Sequence, residues 1–408
     1  MFDGIDGPSA IGFVTLHDTP RSPGLAPAEA ESMDDDLALV LSGGGAHAAY
    51  QVGFLRCVAG HFPELRIPIL TGVSAGAINA AFLANYQGTF AESIDALASF
   101  WQGLSIGRIF RADTWSLAKN LLLWGVHLLS GGIARTPSPK GLVDTTPLRK
   151  LLEEGFAAPD DAMIGIRENI RRQRLRAVAI TTTNYATGQI VTWVQGKNIE
   201  VWERPDRHSV MTEITVDQIM ASTALPILFP AVKIGNSWHG DGGIGQYAPL
   251  SPALHLGARR ILAVSTRYRP SPEEIRNAAR SEEYPSAAKL MDVLMNSIFV
   301  EHLDQDVLGL ERVNRLLKRE SMPQDPKLRL VRAFTLRPSL NLSKLAGKYE
   351  PDLPRPFRFL TRRFGTHETR SFDWLSMVMF DSRYIRTLME IGESDAERRI
   401  GEISALLS

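Results

Sequence analysis

Residues 72–76 read Gly72-Val73-Ser74-Ala75-Gly76, the pattern G-x-S-x-G. A serine hydroxyl is a weak nucleophile until it is bared and a neighbour accepts its proton. This pattern meets the first need. A strand that turns sharply into a helix holds the serine at the apex in a strained conformation. A glycine two residues to either side leaves no Cβ to clash across the turn. The flanks fit: residues 67–70 (IPIL) are apolar, and residues 75–84 (AGAINAAFLA) suit a helix.

An attacked carbonyl becomes an oxyanion, which needs preorganised N–H donors. Losing one such donor typically costs about 2.7–4 kcal/mol of barrier. The turn Gly43-Gly44-Gly45 follows an apolar run at 37–41 and leads into a helical one. Side-chain-free residues let backbone N–H groups approach a ligand, and the following helix adds its positive end.

The proton acceptor is the harder assignment. Asp241 lies between Gly240 and Gly242-Gly243, in a turn that bares its carboxylate. Bonded directly to the serine, it would make a two-residue dyad; as a turn residue it would cap its own backbone. A histidine triad in the order Ser, acid, His would pair Asp241 with His255, His302 or His367, and none of these has a supporting motif. A rival reading takes residues 43–48 as a dinucleotide loop of the form G-x-G-x-x-A, with Glu64 about 20 residues on. That reading makes the chain a Rossmann-like oxidoreductase and leaves Ser74 and the Asp-Gly-Gly turn without a role.

The elements that must position these residues are short. Strands are expected at 37–41, 67–73, 175–183, 189–194, 260–266 and 328–336, with an extended piece at 231–234. Helices are expected at 46–59, 75–84, 90–101, 117–129, 147–154, 163–172, 216–224 and 249–256, over a long zone at 284–318, and at 372–397. Such alternation implies an α/β fold: a three-layer α/β/α arrangement around a mostly parallel sheet, with candidate loops at the carboxyl ends of the strands. Residues 1–36 are rich in Pro, Ala, Gly and acid and read as a disordered tail. Residues 37–340 read as the catalytic α/β domain, and 341–408 as a helical extension packed on it.

The chain has 408 residues, 44% of them hydrophobic, with Lys+Arg and Asp+Glu both 45. That size buries a sizeable core. Zero net charge argues against nucleic acid as the main partner. The single cysteine, Cys57, excludes an intrachain disulfide, fits a reducing compartment and reads as core filling. The run Asp34-Asp35-Asp36 reads as solvated charge, not a metal site. No secretory signal is visible, and no run reaches the roughly 18–20 apolar residues that cross a bilayer. The cytoplasm, with peripheral membrane contact, is the expected location. Residues 115–129 have the texture of a lid or interfacial helix or of a core helix. Residues 355–370, with Arg355, Arg358, Arg362, Arg363 and Arg370 among aromatics, suit anionic lipid or a solvated edge.

Together, Gly43-Gly44-Gly45, Gly72-Val73-Ser74-Ala75-Gly76 and Asp241-Gly242-Gly243 resemble the patatin-like phospholipase family. The stretch Ala221-Ser222-Thr223-Ala224-Leu225-Pro226-Ile227-Leu228-Phe229-Pro230 is similar to the one that precedes the aspartate in bacterial members. The resemblance spans residues 37–266. It implies a Ser74–Asp241 dyad without histidine, Gly43, Gly44 and Gly45 as oxyanion loop, lipid acyl-ester substrates, and no metal or other cofactor. Gly72, Gly76, Gly242 and Gly243 would support the motifs. One departure stands out. Where the family has Arg or Lys followed by Gly, this chain has His47 and Ala48. The permanent cation gives way to a group that titrates near 6.5 when unperturbed, which leaves open a weakened or silent lipid-binding member.

Overall fold

Five consecutive buried residues make Leu37–Leu41 (β1) a strand without a solvent face. Leu37, Leu39 and Leu41 enter one hydrophobic core, and Ala38 and Val40 enter another. That period of two requires a sheet covered on both sides. The computed structural model describes residues 36–111, 141–158, 162–278, 302–319, 328–349 and 376–408, with isolated positions between 284 and 297. The expected tail up to residue 35, the helix at 117–129, much of the zone 284–300, the basic stretch 355–370 and His367 lie outside the described residues.

The other strands are Ile69–Val73 (β2), Ala177–Asn184 (β3), Ile190–Gly196 (β4), Glu203–Arg204 (β5), Arg207–Met211 (β6), Val232–Ile234 (β7), Ser237–Asp241 (β8), Arg260–Val264 (β9) and Arg332–Leu336 (β10). Ten strands form one sheet in the order β10-β9-β1-β2-β3-β4-β6-β5, with β8 on β3 and β7 on β8. Pairing is parallel from β10 through to β3. It turns antiparallel at β3–β4 and β3–β8. The fold is thus α/β with a mostly parallel central sheet.

Ala49–His61 (α1), Ala75–Asn85 (α2) and Phe90–Gln102 (α3) cover one face. Tyr384, Ile385, Leu388 and Met389 of the helix Ser382–Arg398 join the same core. On the other face, Leu250, Ala253 and Leu256 pack with Leu303 against the small residues Ala38, Ala177, Ala179 and Ala263. Each large apolar side chain buried this way contributes about 1.5–3 kcal/mol.

Several boundaries depart from expectation. The strand expected from Ile67 starts at Ile69, because Pro68 has no N–H to give a ladder. The helix expected from Ala46 opens as a tight 3-10 turn, Gly45–Ala48. Leu303–Leu317 is the described part of the long helical zone, and Pro272–Ala278 is a helix the apolar pattern did not announce. Strands β5, β6 and β8 were not expected, since none carries an apolar run. The expected strand at 328–336 shortens to β10 and rejoins the sheet beside β9.

Candidate active site

The register of the sheet brings the proposed pair together. β2 pairs with β3 up to Val73↔Thr181 and ends there. β3 runs on for three residues, and β8 docks antiparallel on that overhang, with Thr182↔Asp241 and Thr183↔Gly240. Asp241 therefore lies just beyond the carboxyl end of β2, where Ser74 emerges. The Ser74 hydroxyl donates to Asp241 Oδ2 at 2.7 Å.

Ser74 has φ 53° and ψ −132°, a left-handed conformation that a residue with a Cβ holds only when its surroundings force it. Close backbone packing does the forcing. A Cβ on Gly72 would fall 2.7 Å from Ala77 Cα, and one on Gly76 would overlap the carbonyl oxygens of Leu41 and Ser42. The Ser74 N–H is not left bare: it donates to Ser222 Oγ at 2.9 Å, and Ser222 donates on to the Thr181 carbonyl at 2.7 Å.

Asp241 is fully buried and Ser74 is 5% exposed. The second carboxylate oxygen of Asp241 accepts from the Gly243 N–H at 2.8 Å. Its backbone is pinned by Asp241 N–H to the Ala224 carbonyl (3.0 Å) and by the Thr183 hydroxyl to the Asp241 carbonyl (2.9 Å). Burial raises the carboxyl, the hydrogen bonds from Ser74 and Gly243 lower it, and the balance leaves it pushed up to about 7. Gly240 faces the Tyr185 ring, with no room for a Cβ between them. Burial and the charge of Asp241 push that phenol up to about 12.

The glycine turn lies against the serine. A Cβ on Gly43 would stand 2.9 Å from Ser74 Cβ and 3.6 Å from its hydroxyl oxygen. Gly44 has φ 150° and Gly45 has φ 56°. A Cβ on Gly44 would overlap Thr266, and one on Gly45 would overlap the Met377 carbonyl. Among the described residues, no protein acceptor takes the N–H of Gly44 or Gly45, while the next N–H, of Ala46, donates to the Met377 carbonyl at 2.7 Å.

A buried polar chain fixes this turn. Trp101 Nε1 donates to Asn79 Oδ1 at 2.7 Å, and Asn79 Nδ2 donates to Gln51 Oε1 at 2.9 Å. Gln51 Nε2 in turn donates to the Ser42 carbonyl at 2.8 Å. From the other side, the Thr266 hydroxyl donates to the Gly43 carbonyl. Sequence reasoning missed Gln51, Asn79 and Thr266, which read as ordinary helix and strand-end residues. For Ser222 a signal existed, because it sits in the Ala/Ser-rich stretch before the aspartate.

Two cavities meet at the serine. The first, about 130 Å³, is lined by the glycine turn, Ser74, Asp241, His47 and the polar residues Gln246, Arg267, Asn341 and Ser343. The second, about 30 Å³, is walled by Phe100, Trp101, Leu104, Leu225, Phe229 and Phe380 with other apolar side chains. Ser74 and Met377 line both. His47 is buried beside the first cavity, edge-on to Tyr384 with ring centres 6.3 Å apart.

The histidines considered for a triad stand elsewhere. His255 stacks on Trp202 at 4.6 Å, and burial pushes it down to about 4. His302 is half-buried beside Tyr247 and bonds to Gln305. Glu64 precedes β2, at the opposite edge of the sheet from Gly43, so it cannot serve a ligand held by the glycine turn. Gly242 packs against the Thr181 carbonyl of β3.

A strained serine, a buried carboxylate and a glycine turn thus meet at the carboxyl edge of a mostly parallel sheet. A sequence model described as patatin-like phospholipase matches residues 39–254, and the chain belongs to that family. No curated protein matches its sequence. Among solved structures, it is similar to VipD from Legionella pneumophila (12% identity, TM-score 0.39, covering 91% of this chain and 67% of that one). It is also similar to human GIVD cytosolic phospholipase A2 in complex with methyl gamma-linolenyl fluorophosphonate (12% identity, TM-score 0.43). There the match covers 92% of this chain, which spans 59% of the human chain. A third is the type III effector ExoU of Pseudomonas aeruginosa (13% identity, TM-score 0.26, covering 90% and 78%).

Proposed function

We propose that this chain is a lipid acyl hydrolase that cleaves fatty-acyl esters with a Ser74–Asp241 dyad. The observation that carries this reading is the 2.7 Å bond from a strained, buried serine hydroxyl to a buried carboxylate. Asp241 accepts the Ser74 proton as Oγ attacks the ester carbonyl, and the N–H groups of Gly44 and Gly45 hold the oxyanion. The positive end of α2, which begins at Ala75, adds to that field. Asp241 then returns the proton to the leaving alcohol, activates a water, and the acyl-enzyme is hydrolysed. A carboxylate raised toward neutrality by burial is a better base than one in water.

The substrate class follows from where the serine stands. A polar chamber on one side and an apolar slot on the other suit an amphiphile whose ester lies at the junction. The acyl chain enters beside Phe100 and Phe229, and the polar end stays near Arg267 and Asn341. Membrane contact is peripheral in this reading, and no described helix is long and apolar enough to cross a bilayer. Residues 37–340 form the catalytic unit and 341–408 an extension that closes the cavity through Leu342, Ser343 and Met377. The location is cytoplasmic, at the membrane surface.

A second reading, a silent lipid-binding member, draws on His47, which lines the cavity in place of the family's cation. One experiment separates the two. A fluorophosphonate probe should label the wild-type chain and not Ser74→Ala, and Ser74→Ala and Asp241→Ala should each lower ester hydrolysis by about 10³-fold or more. Absence of labelling in a folded wild type would favour the silent reading, and activity retained in Ser74→Ala would end the first.

A further inference from the structure

We propose that Cys57, His61 and Glu397 form a site for a zinc-class divalent cation, clamping α1 to the helix Ser382–Arg398. Cys57 and His61 are four residues apart on α1, so they project from one face, one above the other. Glu397 reaches them from the last turn of Ser382–Arg398. Its single oxygen Oε2 accepts from the Cys57 thiol at 3.2 Å and lies 2.9 Å from His61 Nε2. The sulfur, nitrogen and oxygen all lie within 4.8 Å of one another. Among the described residues this is the one place where three such side chains converge.

The donor set decides the ion. A thiolate, an imidazole and a carboxylate suit Zn²⁺, whereas Mg²⁺ and Ca²⁺ prefer oxygen throughout. Tetrahedral zinc with bonds of about 2.3 Å to sulfur and about 2.0–2.1 Å to nitrogen and oxygen sets its ligand atoms about 3.3–3.6 Å apart. The observed contacts are a few tenths of an ångström shorter, as hydrogen bonds are. Rotation of Glu397, whose side chain is 60% exposed, opens them. Water supplies the fourth position on that exposed side. Burial and Glu397 push the Cys57 thiol up to about 12, so without metal the sulfur keeps its proton. On binding, the thiol proton and the Nε2 proton, where present, leave to solvent, as bound metal requires.

The supporting frame is rigid. A Cβ on Gly53 or Gly392 would overlap the backbone of the facing helix, so the two axes are in close contact. One turn away, Arg56 pairs with Glu393 at 3.3 Å, which keeps that cation off the cluster. Cys57 lies ten residues beyond His47, roughly 15 Å along the helical rise. The site is therefore separate from the serine cavity, and its test does not depend on activity.

The full chain, stripped of metal by chelator, is titrated with Zn²⁺ and, for its spectrum, with Co²⁺. One Zn²⁺ per chain is expected, with a rise in melting temperature at saturation and a thiolate-to-cobalt charge-transfer band. His61→Ala and Glu397→Gln change exposed side chains and leave folding intact; each should weaken Zn²⁺ binding tenfold or more. Cys57→Ser should remove the cobalt band. Absence of stoichiometric Zn²⁺ binding, binding unchanged in His61→Ala and Glu397→Gln, or a cobalt band that survives in Cys57→Ser would each overturn the proposal.

Discussion

The backbone N–H of Ser74 donates to the Oγ of Ser222 at 2.9 Å, and that hydroxyl donates in turn to the Thr181 carbonyl at 2.7 Å. One fully buried side chain thus satisfies the donor that the serine's left-handed backbone turns away from its own strand. Ser222→Ala removes the partner of the buried Ser74 N–H and one donor to the Thr181 carbonyl. Stability should fall by about 1–3 kcal/mol in chemical denaturation, and ester hydrolysis should fall at least tenfold as the turn relaxes. A variant with wild-type stability and rate would show that the bond holds nothing.

Asp241 sets the pH response. As a base it must be ionised, so kcat/KM should rise with pH around a midpoint near 7 and then level. The same shift has a stability consequence. The folded carboxyl keeps its proton up to about 7, while the unfolded one loses it near 3.8. Between those values the native state holds more protons, so this group's stabilisation is complete below the lower value and is lost as pH climbs through the upper one. Asp241→Asn should remove that decline. Relative to wild type it should gain on the order of 2–4 kcal/mol between acid and pH 8. Parallel pH-stability curves for the two proteins would refute the assignment.

Gly44 tests the oxyanion turn. With φ 150° and Thr266 where a Cβ would go, Gly44→Ala is strained twice. It should cost about 1–3 kcal/mol. Fluorophosphonate labelling should drop at least a hundredfold even at temperatures where the variant is folded, because the N–H donors move. Labelling at the wild-type rate would place the oxyanion elsewhere.

What could be read in advance follows from where the information sits. Strands β1, β2, β3 and β9 carry apolar runs because both faces of the sheet are covered, and their positions were plain. Ser74, Asp241 and the glycines stood in turns whose residue types have few other uses. Strand β8 hid because Ser237-Trp238-His239-Gly240-Asp241 has no apolar period, yet its docking on the β3 overhang is what delivers the carboxylate. Gln51 and Asn79 hid for a different reason. A polar residue on an apolar helix announces a partner but does not say which, and theirs, besides each other, are Ser42, Ala48, Trp101 and Val264.

The Met377 carbonyl braces the Ala46 amide, and Leu342 and Ser343 wall the cavity. During synthesis, Ser74 and Asp241 leave the ribosome before Met377 does, and until then the turn lacks that brace. The pocket is finished only when the segment around Met377 has left the ribosome and docked. A pocket assembled in this order stays open on one side near the tunnel exit while its serine and carboxylate are already outside.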